Sequence, residues 1–338
     1  MSSSIPVIDI SSLFGGPSPA RDTADRDIMA AATTSGFMTV TGLPDDLLSP
    51  VTRKKLLSIF SLSDAKKRLL YRQNFDPART NVYRGWFPLT PGHPTWKEGM
   101  DLGPDVAHGA GRVMAGDPLT EATPVPDTDD LPGWHDAVTS YYMHMEDTGR
   151  ALMRAIARGL ELNEATFDKA FERGISTLRL LHYPLRTQES FAGATEETHI
   201  MHNGQEHYLL ARGHVDSGFV TLLAQDGVEG LQAHVRDGSW LDVPPIEGTL
   251  AVNFGKLLAR WTGGRINATL HRVIGRNRQR YSVPFFYEPS VDTVISPLPG
   301  GEAFEPVSYG DHLWEATTQF VEQKGIAHLR PPRGVNTA

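Results

Sequence analysis

The sequence contains no cysteine, no long apolar run and no excess of positive charge, and each absence excludes a class of protein. Without cysteine the chain forms no disulfide and holds no iron–sulfur cluster. No segment approaches the roughly 18 consecutive apolar residues of a transmembrane helix. The N-terminus lacks a basic stretch followed by an apolar one, so we expect no secretory signal. Together these absences predict a cytoplasmic protein.

The charge balance narrows the range of partners. The 32 Lys and Arg residues against 40 Asp and Glu residues give a formal net charge of −8. A field of that sign attracts neither nucleic acid nor an anionic membrane. Hydrophobic content of 40% and a length of 338 residues are ordinary for a globular chain of one large unit. We therefore expect a small-molecule substrate, no nucleic-acid or membrane partner, and a monomer or homodimer.

The most informative feature that is present is His214 and Asp216, followed 55 residues later by His271. His214 and Asp216 are two apart, so on an extended chain both side chains leave the same face. Two imidazoles and one carboxylate suit a single ferrous ion with positions left open for substrate and oxygen. The alternative is that each residue is separately packed or solvent-facing, which is common for histidines in strands.

Arg280 and Ser282 alternate just downstream of this group. A guanidinium and a hydroxyl on one face form a natural clamp for a carboxylate. The alternative is that both occupy outward positions of an alternating strand. Taken with the three metal-ligand candidates, the pair predicts an oxygen-activating iron enzyme that uses a carboxylate-bearing co-substrate.

Several short segments between residues 209 and 289 carry a resemblance to a known family. They are residues 213–218, 230–232, 238–245, 252–255, 261–264, 269–273 and 280–286, with further likeness at residues 5–9, 35–40, 84–88, 97–98 and 178–184. In order and spacing they resemble the isopenicillin N synthase-like family of iron(II)- and 2-oxoglutarate-dependent dioxygenases. The resemblance implies a mainly β fold, with a double-stranded β-helix (jelly-roll) core and flanking helices.

The resemblance also implies roles for individual residues. His214, Asp216 and His271 match the iron ligands, and Arg280 and Ser282 match the pair that binds the far carboxylate of 2-oxoglutarate. With Fe(II), 2-oxoglutarate and O2, such an enzyme hydroxylates, desaturates or ring-closes a small organic compound, often in secondary metabolism. Succinate and carbon dioxide are released.

Two aromatic positions and four further residues are weaker candidates. Tyr183 matches a tyrosine that helps hold the co-substrate, although a half-buried tyrosine with one wet end explains it equally well. Phe286 falls where relatives place an aromatic ring against the substrate. Other candidates for the substrate wall, of types equally common in barrel cores, are Tyr83, Arg84, Trp86 and Arg179.

We expect a single catalytic unit made of successive parts. They are an N-terminal α/β segment (1–105), a connecting segment with a long helix (106–174), the jelly-roll core (175–290) and a C-terminal segment with a helix (291–338). Periodicity predicts the long helix at 134–162 and strands at 175–183, 209–215, 219–225, 231–235, 249–254, 269–274 and 281–288. Residues 74–132, rich in Pro and Gly, are predicted to wrap the barrel without regular structure.

The segment 187–208 before the metal motif is rich in histidine and glutamate. Its members are Glu196, Glu197, His199, His202, Glu206 and His207. A second metal site is one interpretation, and a lid over the active site is another, since mobile loops commonly border such mouths.

Two other functions compete with the dioxygenase hypothesis. One is an iron oxidase of the same fold that dispenses with 2-oxoglutarate, of the isopenicillin N synthase or aminocyclopropane carboxylate oxidase type. Both of these keep the Arg-x-Ser pair, so the motif does not separate them. The other is a non-catalytic barrel that only binds a ligand. The sequence does not identify the substrate.

Overall fold

The computed structural model describes residues 4–44, 47–93, 95–194, 197–276, 278–298 and 303–335. Its α-helices are α1 (Pro19–Thr34), α2 (Pro50–Leu57), α3 (Asp64–Leu69), α4 (Asp105–His108), α5 (Trp134–Gly159), α6 (Asp168–Phe171), α7 (Lys256–Trp261) and α8 (Tyr309–Thr317). Its strands are β1 (Val7–Asp9), β2 (Phe37–Thr41), β3 (Gly85–Phe87), β4 (Glu98–Leu102), β5 (Thr177–Tyr183), β6 (His199–His202), β7 (Gln205–His214), β8 (Val220–Gln225), β9 (Leu231–His234), β10 (Trp240–Asp242), β11 (Leu250–Phe254), β12 (His271–Gly275), β13 (Arg280–Tyr287), β14 (Val294–Ile295) and β15 (Val307–Ser308). Within these ranges, no helix has both the length and the apolar character needed to cross a bilayer.

Two sheets form the core of the protein. The major sheet has eight strands in the order β1-β2-β11-β8-β13-β5-β4-β3, and the minor sheet has five in the order β10-β9-β12-β7-β6. All neighbouring strands pair antiparallel except β1 and β2. This is a jelly-roll core with flanking helices, as the sequence predicted.

Apolar side chains form two separate cores, one on each face of the major sheet. The larger core lies between this sheet and the helices, where the Tyr142 ring of α5 meets the Phe285 ring of β13 with centroids 5.0 Å apart. The smaller core lies between the two sheets and includes Phe87, Leu181 and Val273. Since side chains alternate along a strand, the even-numbered residues of β13 face this inner space.

The long helix is confirmed close to its predicted bounds, as α5. By contrast, the prediction that residues 74–132 lack regular structure is wrong for the short helix α4 and for β3 and β4, which extend the edge of the major sheet. Both strands are short, and each contains a glycine, Gly85 at the start of β3 and Gly99 within β4, so their local signal is weak. They are fixed by long-range pairing, as where Asp101 lies opposite Arg179 of β5. The division into segments stays a prediction.

The histidine-rich segment forms a hairpin rather than an unpaired loop. Strands β6 and β7 pair antiparallel, and β7 begins at Gln205, four residues before the predicted start. Its charged residues do not form a second metal cluster among the residues that the structure describes, and Glu196 lies outside them. The lid stays a prediction.

Candidate metal centre and co-substrate pocket

Strand pairing brings His214, Asp216 and His271 together at the mouth of the barrel. His214 ends β7 and lies directly opposite His271, the first residue of β12, with ring centroids 4.3 Å apart. The Oδ1 atom of Asp216 lies 3.6 Å from Nε2 of His214 and 3.7 Å from Nε2 of His271. The three ligand atoms fall within 4.8 Å of one another, which is the spacing that one metal ion bridges.

Backbone carbonyls orient both imidazoles. Nδ1 of His214 lies 2.7 Å from the Arg212 carbonyl oxygen, and Nδ1 of His271 lies 3.0 Å from that of Thr269. A carbonyl only accepts, so each Nδ1 donates and each Nε2 keeps its lone pair for the metal side. Burial lowers the pKa of His214 to about 4, aided by the neighbouring His271 and opposed by Asp216.

The carboxylate of Asp216 is held from behind. Its Oδ2 atom accepts hydrogen bonds from the Thr221 hydroxyl at 2.5 Å and the Asn253 amide at 2.7 Å, which leaves Oδ1 facing the imidazoles. Burial raises the pKa of Asp216, but His271, His214 and the two hydrogen bonds outweigh it, so the pKa lies below its ordinary value. An ionised carboxylate is the form that a metal ligand requires.

The turn after Asp216 is packed so tightly that it has room only for glycine. A Cβ on Gly218 would lie 2.2 Å from an oxygen of Glu288, and a Cβ on Gly255 would lie 2.3 Å from the Gly218 carbonyl oxygen. From α8, Nε2 of His312 donates to the Ser217 carbonyl at 3.0 Å. The backbone that carries Asp216 is therefore fixed on several sides.

Glu288 lies beside Gly218 of this turn, and its raised pKa makes the stability of the protein depend on pH. Burial raises its pKa to about 8, with the Asp216 charge adding to the effect while the hydrogen bond from the Tyr309 hydroxyl opposes it. The ordinary pKa of a glutamate is 4.5, so between this pH and about pH 8 the folded protein keeps a proton on Glu288 that the unfolded chain has lost. The free energy of unfolding therefore falls as pH rises through this window. We expect Glu288→Gln to stabilise the protein by about 2–4 kcal/mol at about pH 8, and by little near pH 5.

Thermal and denaturant unfolding of the wild type and Glu288→Gln across this pH range measure the effect. Glu172→Gln, a change of an exposed carboxylate to an amide, is the matched control. A difference in stability that does not change with pH would contradict the assignment of a buried, protonated Glu288.

Arg280 lies at the base of the pocket with no partner for its charge. Its side chain is 1% exposed, and Nε, Nη1 and Nη2 have no hydrogen-bond partner among the described residues. The guanidinium lies over the ring of Tyr183, which is directly opposite on β5, and Ser282 follows two residues on along the same face. A buried unpaired cation is costly, so the site fits a ligand that brings a carboxylate.

A cavity of about 480 Å³ is lined in part by Arg280, and the three metal-ligand candidates are not among its lining residues. Its apolar wall includes Leu210 and Ile274, whereas His207 and Arg276 give its rim a polar character. Leu210 is four residues before His214 on β7, so one strand connects the cavity to the metal-ligand group.

Two of the predicted substrate residues come close to this group. Phe286 lies directly opposite Thr221, whose hydroxyl is bound to Asp216. The guanidinium of Arg179 lies 5.5 Å from the centre of the Phe286 ring. Both residues face the inner space.

The structure does not bring the other three predicted wall residues to the metal ligands. Tyr83 and Trp86 belong to the core between the major sheet and the helices, where Trp86 packs on Phe60. Arg84 is fully buried and donates to the Thr177 hydroxyl and the Ile175 carbonyl. Each of the three is enclosed by protein in the structure, and their role as pocket wall stays a prediction.

Two aromatic residues near the site were missed by sequence reasoning. Phe87 points into the inner core beside Trp86, which points out, as alternation along β3 requires. The same alternation was present in the sequence, but no strand was predicted there. Phe320, 49% exposed, lies beyond α8 with its ring 6.4 Å from that of His214. No motif in the sequence marks it.

Comparisons with known proteins agree with this geometry. Residues 178–289 match the model of the 2OG-Fe(II) oxygenase superfamily, and residues 5–127 match that of the non-haem dioxygenase in morphine synthesis N-terminal domain. Isopenicillin N synthase of Streptomyces clavuligerus is 29% identical over 96% of this chain and 98% of its own. Homoarginine-6-hydroxylase of Glycine max is 31% identical over 95% and 98%. A Neurospora crassa protein, solved in complex with alpha-KG and thymine, superposes with a TM-score of 0.75 at 27% identity, covering 94% of this chain and 97% of that one.

The chain belongs to the 2OG-Fe(II) oxygenase superfamily. This is a family of non-haem iron enzymes, 2-oxoglutarate-dependent dioxygenases, and the predicted likeness to the isopenicillin N synthase-like family is confirmed.

Proposed function

We propose that His214, Asp216 and His271 bind the iron, and that Arg280 and Ser282 bind the far carboxylate of 2-oxoglutarate. The observation that carries this assignment is the buried guanidinium of Arg280, whose three nitrogens lack a partner in the described part of the chain. A carboxylate from outside the chain completes its hydrogen bonds and neutralises its charge.

The surrounding residues orient the reactants and exclude water. When bound, iron supplies with 2-oxoglutarate and oxygen the oxidising power to break a C–H bond, with succinate and carbon dioxide as products. Thr221 and Asn253 hold one oxygen of Asp216, so the other faces the metal. Tyr183 packs on the Arg280 guanidinium and fixes its plane.

The substrate is proposed to be a small organic metabolite that lies against Phe286 and Arg179. Both face the inner space near Asp216, and this space lies between the two sheets. We further propose a cytoplasmic monomer or homodimer in secondary metabolism. The reducing environment of the cytoplasm supports the first part of this proposal, because it keeps iron ferrous.

A 2-oxoglutarate-independent oxidase is the second candidate function. The similarity to isopenicillin N synthase over nearly the whole chain favours it. In that case the carboxylate bound by Arg280 belongs to the substrate or to another acid.

Oxygen uptake and succinate formation, measured with Fe(II) over a panel of metabolites with and without 2-oxoglutarate, separate these functions. We expect succinate in amounts equal to the oxygen consumed, together with a product that has gained an oxygen atom or lost two hydrogens. Oxygen uptake that needs no 2-oxoglutarate and forms no succinate would favour the oxidase. Protein that binds iron but consumes no oxygen, with or without 2-oxoglutarate, would support the non-catalytic ligand-binding barrel.

A further inference from the structure

Two arginines on the wall of the inner space share a single carboxylate. Nε and Nη2 of Arg179 donate to the two oxygens of Asp101 at 2.6 and 2.8 Å, and Nη2 of Arg72 donates to one of the same oxygens. Arg72 is 0% exposed, and its Nε and Nη1 have no partner among the described residues. Hydrogen-bond donors thus outnumber acceptors in a buried group.

The charges of this group do not balance. Two guanidinium groups face the one carboxylate of Asp101, whose pKa lies at about 2; burial raises it, but Arg179 and Arg72 together lower it further. The carboxylate of Glu322 also acts on both arginines, but it is paired with Lys97 at 2.9 Å. Counted together, Arg72, Arg179 and Lys97 carry three positive charges against the two negative charges of Asp101 and Glu322. One positive charge remains in excess, and a buried charge without a partner is unfavourable.

The iron and the co-substrate do not supply the missing anion. The two positive charges of a ferrous ion and the one of Arg280 balance the single charge of Asp216 and the two of 2-oxoglutarate. With the iron and 2-oxoglutarate bound as proposed, their charges and those of Asp216 and Arg280 sum to zero. The excess charge around Arg179 is therefore left for another molecule.

Arg179 is the member of the group that a ligand can reach. Its side chain is 21% exposed, against 1% for Asp101 and 0% for Arg72. It lies between the rings of Phe87, at 5.4 Å, and Phe286, at 5.5 Å. Phe286 is in turn opposite Thr221, the residue bound to the metal-ligand carboxylate. In the described part of the chain, Nη1 of Arg179 has no hydrogen-bond partner.

We propose that the substrate is a monoanion whose carboxylate binds to Arg179 and whose apolar body packs on Phe286, which directs a C–H bond toward the metal ligands. This inference rests on the proposed function and adds the class of substrate. Asp101 is a positioning residue in this arrangement, because it holds the guanidinium plane of Arg179 from behind.

Matched pairs of acids and amides test the proposal by binding rather than by turnover. The probes are benzoate, phenylacetate and 3-phenylpropionate with their carboxamides. Their dissociation constants are measured by calorimetry, without oxygen, on protein loaded with Mn(II) and saturating 2-oxoglutarate, so that Arg280 is already occupied. We expect at least one acid to bind about ten-fold or more tightly than its amide, because a charge-assisted hydrogen bond is lost in the amide.

Three variants assign that preference to Arg179. Arg179→Gln should remove it, while Arg72 keeps Asp101 paired and the wall folded. Arg179→Lys, which keeps the charge but not the planar fork, should restore part of it. Arg26→Gln, a control on the exposed face of α1, should leave it unchanged.

The outcomes separate this inference from the function on which it rests. Wild type that fails to bind 2-oxoglutarate would overturn both. Suppose instead that the wild type binds 2-oxoglutarate but binds no acid more tightly than its amide, or binds none of the probes. This result would overturn the monoanionic substrate and leave the proposed function standing. A preference that survives in Arg179→Gln would also overturn it, since the carboxylate would then be bound elsewhere.

Discussion

Replacing Asp216 by Ala is expected to lower the affinity for a divalent metal by more than about 100-fold, since loss even of a residue that only supports a ligand costs about 10- to 100-fold. Asp216 is the one anion among the three ligand candidates, and its Oδ1 faces both imidazoles. Without it, two neutral imidazoles remain to hold the ion. Titration with Co(II), followed by its absorption bands, measures the affinity directly, and 2-oxoglutarate-dependent succinate formation should be lost in parallel.

Two further variants control for this result. His271→Ala should give a loss of similar size, because it removes an equivalent ligand. His234→Ala should bind Co(II) as the wild type does, since its ring packs on Trp240 away from the ligand group. Should Asp216→Ala keep wild-type Co(II) affinity, the metal lies elsewhere and the proposed chemistry fails.

Replacing Arg280 by Leu is expected to have opposite effects on stability and on co-substrate binding. Without co-substrate, the variant should unfold at a higher temperature, because a buried cation without a partner is replaced by a smaller, apolar side chain, a gain of about 1–4 kcal/mol. Binding of 2-oxoglutarate should weaken by about ten- to a hundred-fold, because charge-assisted hydrogen bonds are lost. Thermal unfolding with and without 2-oxoglutarate measures both effects in one assay.

Arg236→Leu serves as the control, because this arginine lies on the surface and hydrogen-bonds to Thr33 and Asn267. It should leave the stabilisation by 2-oxoglutarate intact. An Arg280→Leu protein that is destabilised without ligand, yet still stabilised by 2-oxoglutarate to the wild-type extent, would show that the arginine has another partner and that the clamp is misassigned.

The metal-ligand group was predictable because its signals are local or strongly patterned. The two-residue spacing of His214 and Asp216 places both on one face of the chain, and the β-type run around His271 fixes a strand. Neither shows that the two strands pair. The pairing of these strands was expected from the resemblance to a family. It is confirmed by the register of β7 and β12, in which His214 lies opposite His271.

The features that could not be predicted from the sequence depend on pairing between segments that are far apart in the chain. Strands β3 and β4 are too short to give a periodic signal, so the face on which Trp86 or Phe87 lies could not be chosen. The sharing of Asp101 by Arg72 and Arg179 joins three segments that are distant in sequence. Charge pairs of this kind carry no local pattern, and only the folded chain brings them together.

The placement of β2 has a consequence for how the protein is made. Its five residues lie between β1 and β11, and the antiparallel partner of Phe37 is Asn253, 216 residues further along the chain. At about 5–20 residues per second, a ribosome takes roughly 10 to 40 s to deliver that partner. Throughout this time an apolar strand with one unpaired edge is available to other nascent chains. Expression at lowered temperature or with added chaperones is therefore expected to raise the yield of native enzyme.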